Sequence, residues 1–105
     1  MLKNDEKLIV YLESLVNSVF KILPLYEEEN IGIEKYVESL LFELYGLEDA
    51  VEIKYSYEYI SLLSTLESVN KEIESRGSKK SIVKREIFKC INIIKNMIGK
   101  LKEGE

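Results

Sequence analysis

Histidine is absent from this 105-residue sequence, and cysteine occurs once, at Cys90. Without an imidazole there is no serine–histidine or cysteine–histidine nucleophile pair, and no histidine to bind a metal. A single thiol also excludes an intramolecular disulfide and a zinc site built from several cysteines. Because these absences remove the side chains that most often act in catalysis or bind metals, we predict no catalytic residues, no metal ligands and no cofactor.

Pairs of carboxylates are the remaining candidates for chemistry. Glu34 and Glu38 are four residues apart, as are Glu48 and Glu52. A magnesium site would need such pairs to face inward, yet Glu38 lies across its predicted helix from the apolar stripe. The pattern therefore favours a solvated helix face over a metal-dependent hydrolase.

The sequence also lacks signals for export or membrane insertion. The first residues lack the basic-then-apolar order of a signal peptide, and no apolar run approaches the roughly 18 residues of a membrane span. A lone free thiol suits a reducing compartment. We expect a cytoplasmic protein without membrane contact.

Proline and glycine are scarce, and Pro24, Gly32, Gly46 and Gly77 divide the chain into four blocks. In each block apolar residues recur at spacings of three and four, which is typical of amphipathic helices. Pro24 should end or kink the first helix, and Gly46 suits the left-handed position that often follows a helix. The predicted helices span about residues 5–23, 33–45, 56–76 and 81–102.

One segment, from Val51 to Tyr59, alternates apolar and polar residues with the period of a β-strand. No second strand is available to pair with it, so we favour a connector followed by a helix that begins near Ser56. The chain is therefore predicted to be all-α, an antiparallel four-helix bundle with short connections and a single domain over residues 1–105.

Charge is divided unevenly along the chain, although the formal net charge is only −4. Residues 1–75 hold 16 acidic and 6 basic residues, whereas residues 76–105 hold 3 acidic and 9 basic residues. Two interpretations are open: the last helix neutralises acidic neighbours, or an acidic face attracts a basic protein. For the second interpretation the candidate contacts are Glu27, Glu28, Glu29, Glu48 and Asp49.

Several aromatic residues fall outside the apolar stripes and are flanked by charge. Phe42 lies opposite the stripe of its helix, Phe88 lies among lysines, and Tyr55 and Tyr57 flank a predicted helix start. Aromatic side chains rimmed by charge are typical anchors of protein interfaces. All four are therefore candidate interface residues.

The basic last helix supports an alternative function. Lys84, Arg85, Lys89 and Lys95 could form a face for nucleic acid. The negative net charge and the lack of a helix-turn-helix pattern argue against this alternative. The same apolar-rich helix could instead contribute to a homodimer.

The chain is small, acidic and helical, with tyrosines predicted to be exposed and no set of catalytic side chains. In size, charge and composition it resembles bacterial immunity and antitoxin proteins. The short tyrosine–proline motif of the helical nuclease-immunity proteins is absent here. The resemblance implies a non-enzymatic binding protein that neutralises a basic protein partner.

Overall fold

The recurring apolar spacing produces a chain that is almost entirely helical. A computed structural model describes residues 3–75 and 79–103, without the side chains of Lys3 and Asn4. Its helices are α1 (Lys3–Phe20), α2 (Ile22–Glu27), α3 (Ile33–Tyr45), α4 (Ser56–Ser75) and α5 (Lys80–Glu103).

The predicted helix positions are confirmed for the last three helices. The limits of α3 agree with the prediction, α4 begins at Ser56 as expected, and α5 is one residue longer at each end. Two details of the prediction, Arg76 as the last residue of the third helix and Gly77 as its stop, lie outside the described residues.

Pro24 perturbs the first predicted helix, but the break lies upstream of the proline itself. The helix is interrupted at Lys21 and continues as α2, which contains Pro24. A proline ring lacks an N–H and clashes with the carbonyl four residues earlier, which here is that of Phe20. The helical path is therefore interrupted at Lys21 and extends to Glu27, beyond the predicted limit at residue 23.

The turn after α2 ends in a left-handed residue, Glu29, with φ of 55°. The Asn30 N–H donates to the Leu25 carbonyl at 3.0 Å, and the Glu29 N–H donates to the Tyr26 carbonyl at 3.1 Å. These two bonds form a Schellman motif, in which glycine usually occupies the left-handed position.

The prediction for Gly46 was wrong in its backbone conformation. Gly46 directly follows α3 but is right-handed, with φ of −67° and ψ of −11°. Its N–H donates to the Phe42 carbonyl at 3.2 Å, because the chain continues with helical curvature into the next turn.

The alternating segment is a connector, as predicted, and no strand occurs within residues 3–75 and 79–103. Two short 3₁₀ turns, Glu48–Ala50 and Ile53–Tyr55, lead from α3 into α4. In a 3₁₀ turn, which has three residues per turn, residues two apart lie on different sides, so Tyr55 is buried while Ile53 is exposed.

The core lies along α5, which packs against α1, α2 and α4, while α3 packs on α4. The described chain is elongated, with principal dimensions of 43 × 21 × 19 Å. The fully buried side chains on α5 are those of Val83, Ile87, Cys90, Ile91, Ile94, Met97 and Leu101.

The prediction that no apolar run is long enough for a membrane span needs correction. The helical stretch Asp5–Glu27 is 23 residues long and is apolar enough to cross a membrane by length and composition. Between Leu8 and Leu25 only Glu13 and Lys21 are charged. The core helix of a soluble protein passes the same test, and 39% of the apolar 18-residue window within this stretch is buried in the fold.

Candidate protein-binding surfaces

The outer side of α3 exposes a large aromatic ring. Val37, Leu40 and Leu44 face the core, and Phe42 lies on the opposite side of the helix with 80% of its surface exposed. Glu38 is one turn earlier on the same side and is also exposed. The sequence-based placement of Phe42 is therefore confirmed.

Acidic residues flank α3 at both ends. Glu28 and Glu29 precede the helix, Glu48 and Asp49 follow it, and all four are exposed. A helix of 13 residues is about 20 Å long, which sets the separation of the two groups. We call Glu28, Glu29, Glu38, Phe42, Glu48 and Asp49 together the α3 surface.

Among the described residues, the carboxylates of the α3 surface form no ion pair. The neighbouring Glu27 differs, because its carboxylate pairs with the Lys80 ammonium group at 2.5 Å. Glu27 therefore joins α2 to α5 and is less available to a partner than Glu28 or Glu29.

Three tyrosine hydroxyl groups fix α3 to its neighbours. Tyr36 donates to the Ser18 carbonyl at 2.7 Å, and Tyr59 donates to the Leu44 carbonyl at 2.6 Å. Tyr45 donates to the Glu67 carboxylate at 2.7 Å. The α3 surface therefore rests on a helix that is attached at its beginning and at its end.

The two tyrosines near the start of α4 have different environments. Tyr55 is only 6% exposed and belongs to the core, so its predicted role as an exposed anchor is corrected. Tyr57 is 78% exposed, but it lies on α4 rather than on the α3 surface. The structure thus removes Tyr55 from the predicted contacts and leaves Tyr57 as an exposed residue of α4.

The basic residues of α5 fall into two classes. Lys80, Lys100 and Lys102 form ion pairs with Glu27, Glu58 and Glu13, respectively. The four residues proposed for nucleic acid, which are Lys84, Arg85, Lys89 and Lys95, are all exposed and form no ion pair with a described carboxylate. Internal neutralisation therefore accounts for only part of the positive charge.

These four residues do not form one face. At about 100° per residue, Arg85 and Lys89 lie on the outer side of α5, whereas Lys84 and Lys95 lie on the flank nearer α1. Phe88 lies between the two groups and is 39% exposed. Its ring packs edge-on against that of Phe20, with centroids 5.9 Å apart.

Sequence reasoning missed the ion pair between Glu58 and Lys100, which joins the start of α4 to the end of α5. Glu58 is 6% exposed, and the second oxygen of its carboxylate, Oε2, has no hydrogen-bond partner. The hydrogen bond from Lys100, aided by the backbone N–H of Glu58, lowers the pKa of this carboxyl group despite its burial. The only signal for this ion pair in the sequence is the position of Glu58 in the first turn of a predicted helix.

Two other acidic groups are held in their neutral form. Burial, reinforced by the negative charge of Glu86, raises the pKa of the Cys90 thiol to about 12. Burial and the negative charge of Glu43 raise the pKa of Tyr11 to about 12. Cys90 is therefore a small buried residue and a poor nucleophile.

The described ranges, 3–75 and 79–103, contain no group of three cysteine or carboxylate side chains arranged to hold a metal ion. In comparisons with known proteins, the chain matches no family model, no curated protein and no solved structure.

Proposed function

We propose that this chain is a non-enzymatic protein-binding module that binds a basic protein through the α3 surface. The proposed class is that of immunity or antitoxin proteins, which neutralise a partner by covering it. The observation that supports the proposal most directly is the 80% exposure of Phe42 between acidic residues.

An exposed phenylalanine on a fixed helix suits an interface anchor. It removes a large apolar area from water on binding, and its few rotatable bonds limit the entropy lost. Because tyrosine hydrogen bonds hold both ends of α3, the ring is presented by a helix whose position is already set.

The surrounding carboxylates suit a basic partner. Glu28 and Glu29 at one end, and Glu48 and Asp49 at the other, would accelerate encounter with a positively charged surface and disfavour an acidic one. Such exposed charges affect association rates more than final affinity, so they complement the apolar anchor.

We also propose that the helices form an antiparallel four-helix bundle in which α1 and α2 count as one bent helix. The contacts that support this arrangement join the start of one helix to the end of another. Glu58 at the start of α4 pairs with Lys100 near the end of α5, and Tyr59 bonds to Leu44 near the end of α3.

Tagged protein purified from its native cells tests the proposal by identifying what co-elutes. We expect a basic protein that is lost with Phe42→Asp. With the purified partner, Glu48→Lys combined with Asp49→Lys should reduce the association rate by about tenfold at low salt and flatten its salt dependence.

The matched control is Lys54→Ser, an exposed change in the same connector that leaves the α3 surface intact. It should retain the partner. A co-eluting protein that binds the Phe42→Asp and Glu48→Lys/Asp49→Lys variants as well as the original chain would refute the use of this surface.

A further inference from the structure

The outer sides of α4 and α5 form a shallow groove that the α3 surface does not include. Its walls contain Tyr57 and Ile60 from α4, together with Lys89, Ile93 and Asn96 from α5. Arg85 extends the α5 wall toward the start of that helix. We call these six residues the α4–α5 groove.

Apolar side chains are unusually exposed along the α4 wall. Tyr57 is 78% exposed and Ile60 is 62% exposed. Ile53, in the preceding 3₁₀ turn, is 90% exposed and precedes Tyr57 by four residues. Tyr57 and Ile60 are three residues apart, so they lie on the same side of α4 and form one exposed apolar patch.

The α5 wall adds positive charge that nothing in the described chain neutralises. Arg85 and Lys89 are exposed, are four residues apart, and form no ion pair with a described carboxylate. Among the residues that line the groove, Glu58 is acidic, and its carboxylate already pairs with Lys100. An acidic ligand would therefore meet unopposed positive charge.

We propose that the α4–α5 groove binds an amphipathic helix with acidic flanks, supplied by a partner protein. The apolar side of that helix would cover Tyr57, Ile60 and Ile93, while its carboxylates would approach Arg85 and Lys89. This site is separate from the α3 surface and does not depend on the function proposed for it.

The dimensions of the groove suit a short helix. Arg85 and Asn96 are 11 residues apart on α5, which corresponds to about 16 Å, or three helical turns. Ser61 and Ser64 on α4 also contribute to the groove, and their small side chains allow a helix to approach closely.

The mixed chemistry favours a protein over a nucleic acid as the ligand. Arg85 and Lys89 could contact phosphates and Tyr57 could stack on one base, but the aliphatic side chains of Ile60 and Ile93 cannot stack as aromatic rings do. Burial of these isoleucines is more favourable against the apolar side of a protein helix.

A synthetic helix of about 16 residues, with leucines at spacings of four and three and glutamates on both flanks, is a direct probe. Its fluorescein-labelled form should bind the full chain at low salt with a Kd on the order of 10–100 μM. Amide NMR signals of Ser61, Ser64 and Asn96 should shift during the titration.

Two exposed variants separate charge from apolar contact. Arg85→Glu combined with Lys89→Glu should weaken binding at least about tenfold, and Ile60→Ser should weaken it about fivefold. Lys7→Glu combined with Lys35→Glu changes the net charge equally on other helices, and it should bind the probe like the original chain.

Four results would overturn this proposal. The first is no binding at about 1 mM probe, and the second is equal binding by a peptide with lysines in place of glutamates. The third is unchanged binding of the probe by the Arg85→Glu/Lys89→Glu variant. The fourth is tighter binding of a DNA or RNA oligonucleotide than of the probe to the same residues. Concentration-dependent dimerisation that this variant abolishes would assign the groove to a second copy instead. Phe42→Asp should leave probe binding unchanged, which separates this test from that of the α3 surface.

Discussion

Glu29 has the least favourable backbone conformation among the described residues. Its φ of 55° brings the Cβ atom close to the following carbonyl oxygen, which costs about 1–2 kcal/mol for a residue other than glycine. The hydrogen bonds of Glu29 and Asn30 to the end of α2 hold the turn in this form. A glutamate in this position is unfavourable for folding and places a carboxylate on the α3 surface.

Glu29→Gly should therefore stabilise the fold. We expect the free energy of unfolding to rise by about 0.5–1 kcal/mol, because relief of strain exceeds the greater entropy of an unfolded glycine. Urea denaturation measures the change.

Glu28→Gly is the matched control, since Glu28 is right-handed with φ of −84°. Glycine there should lower the stability by about 0.5–1 kcal/mol. An equal loss of stability in both variants would contradict the role assigned to the left-handed turn.

Single residues also mark the limits of the sequence-based predictions. Exposure of Phe42 followed from its position opposite the apolar stripe of its helix, and it is confirmed. Tyr55 was misplaced because the strand-like alternation of the connector does not describe its short 3₁₀ turns, in which residues two apart lie on different sides. Gly46 was assigned the left-handed conformation found at Glu29, because glycine is the usual but not the required residue there.

At the scale of helices, Pro24 and the Glu58–Lys100 pair show how different effects shape the bundle. Pro24 acts locally, and its clash with the carbonyl four residues earlier was foreseeable from sequence. The ion pair joins residues 42 positions apart and depends on how α4 and α5 pack. Because one partner is buried, the pair matters more than the exposed pairs of α5.

Lys100→Met should destabilise the fold by about 1–3 kcal/mol at pH 7, because it leaves the buried Glu58 carboxylate without its cation. The pair lowers the pKa of Glu58, so its stabilisation is full above pH 4.5, the ordinary value. It is lost as the pH falls through the lower value of the folded state. Denaturation of both proteins between pH 7 and pH 3 should show the difference shrinking with acid.

The matched control is Lys102→Met, because Lys102 and Glu13 are 3.8 Å apart and both more than half exposed. Its effect should stay within about 0.5 kcal/mol at either pH. A constant difference for Lys100→Met across the pH range would show that lost packing, and not charge, explains its effect.

At the scale of the whole molecule, the small net charge is the sum of two opposed regions. Three lysines of α5 neutralise carboxylates on other helices. Lys84, Arg85, Lys89 and Lys95 are left without partners in the described chain, as are the carboxylates of the α3 surface. The molecule therefore presents separate acidic and basic surfaces, and each of the two proposals uses one of them.

Two buried acids in different helices should limit the stability of the fold at alkaline pH. The pKa values of Tyr11 in α1 and Cys90 in α5 are both raised to about 12 from ordinary values of 10.0 and 9.0. The folded chain keeps these protons at a pH where the unfolded chain loses them. The stability that these two groups give the fold is therefore full below about pH 9 and declines as the pH rises toward 12.

Tyr11→Phe combined with Cys90→Ala should make the loss of stability above pH 9 less steep, by up to about 1.4 kcal/mol per pH unit for each group. Urea denaturation at pH 7.5, about 9 and about 10.5 measures the slope. The same alkaline slope in the variant and the original chain would refute this explanation.

The sequence by itself determined the helical class, the positions of α3, α4 and α5, and the absence of histidine chemistry. These properties depend on neighbouring residues, whose apolar spacing and backbone preferences act within a few turns. Only the tertiary structure decided that Glu58 is buried beneath Lys100, that Tyr57 borders a groove away from the α3 surface, and which bases of α5 have partners. Those outcomes depend on which helices pack together, because a charge is neutralised or exposed by neighbours that are distant along the chain.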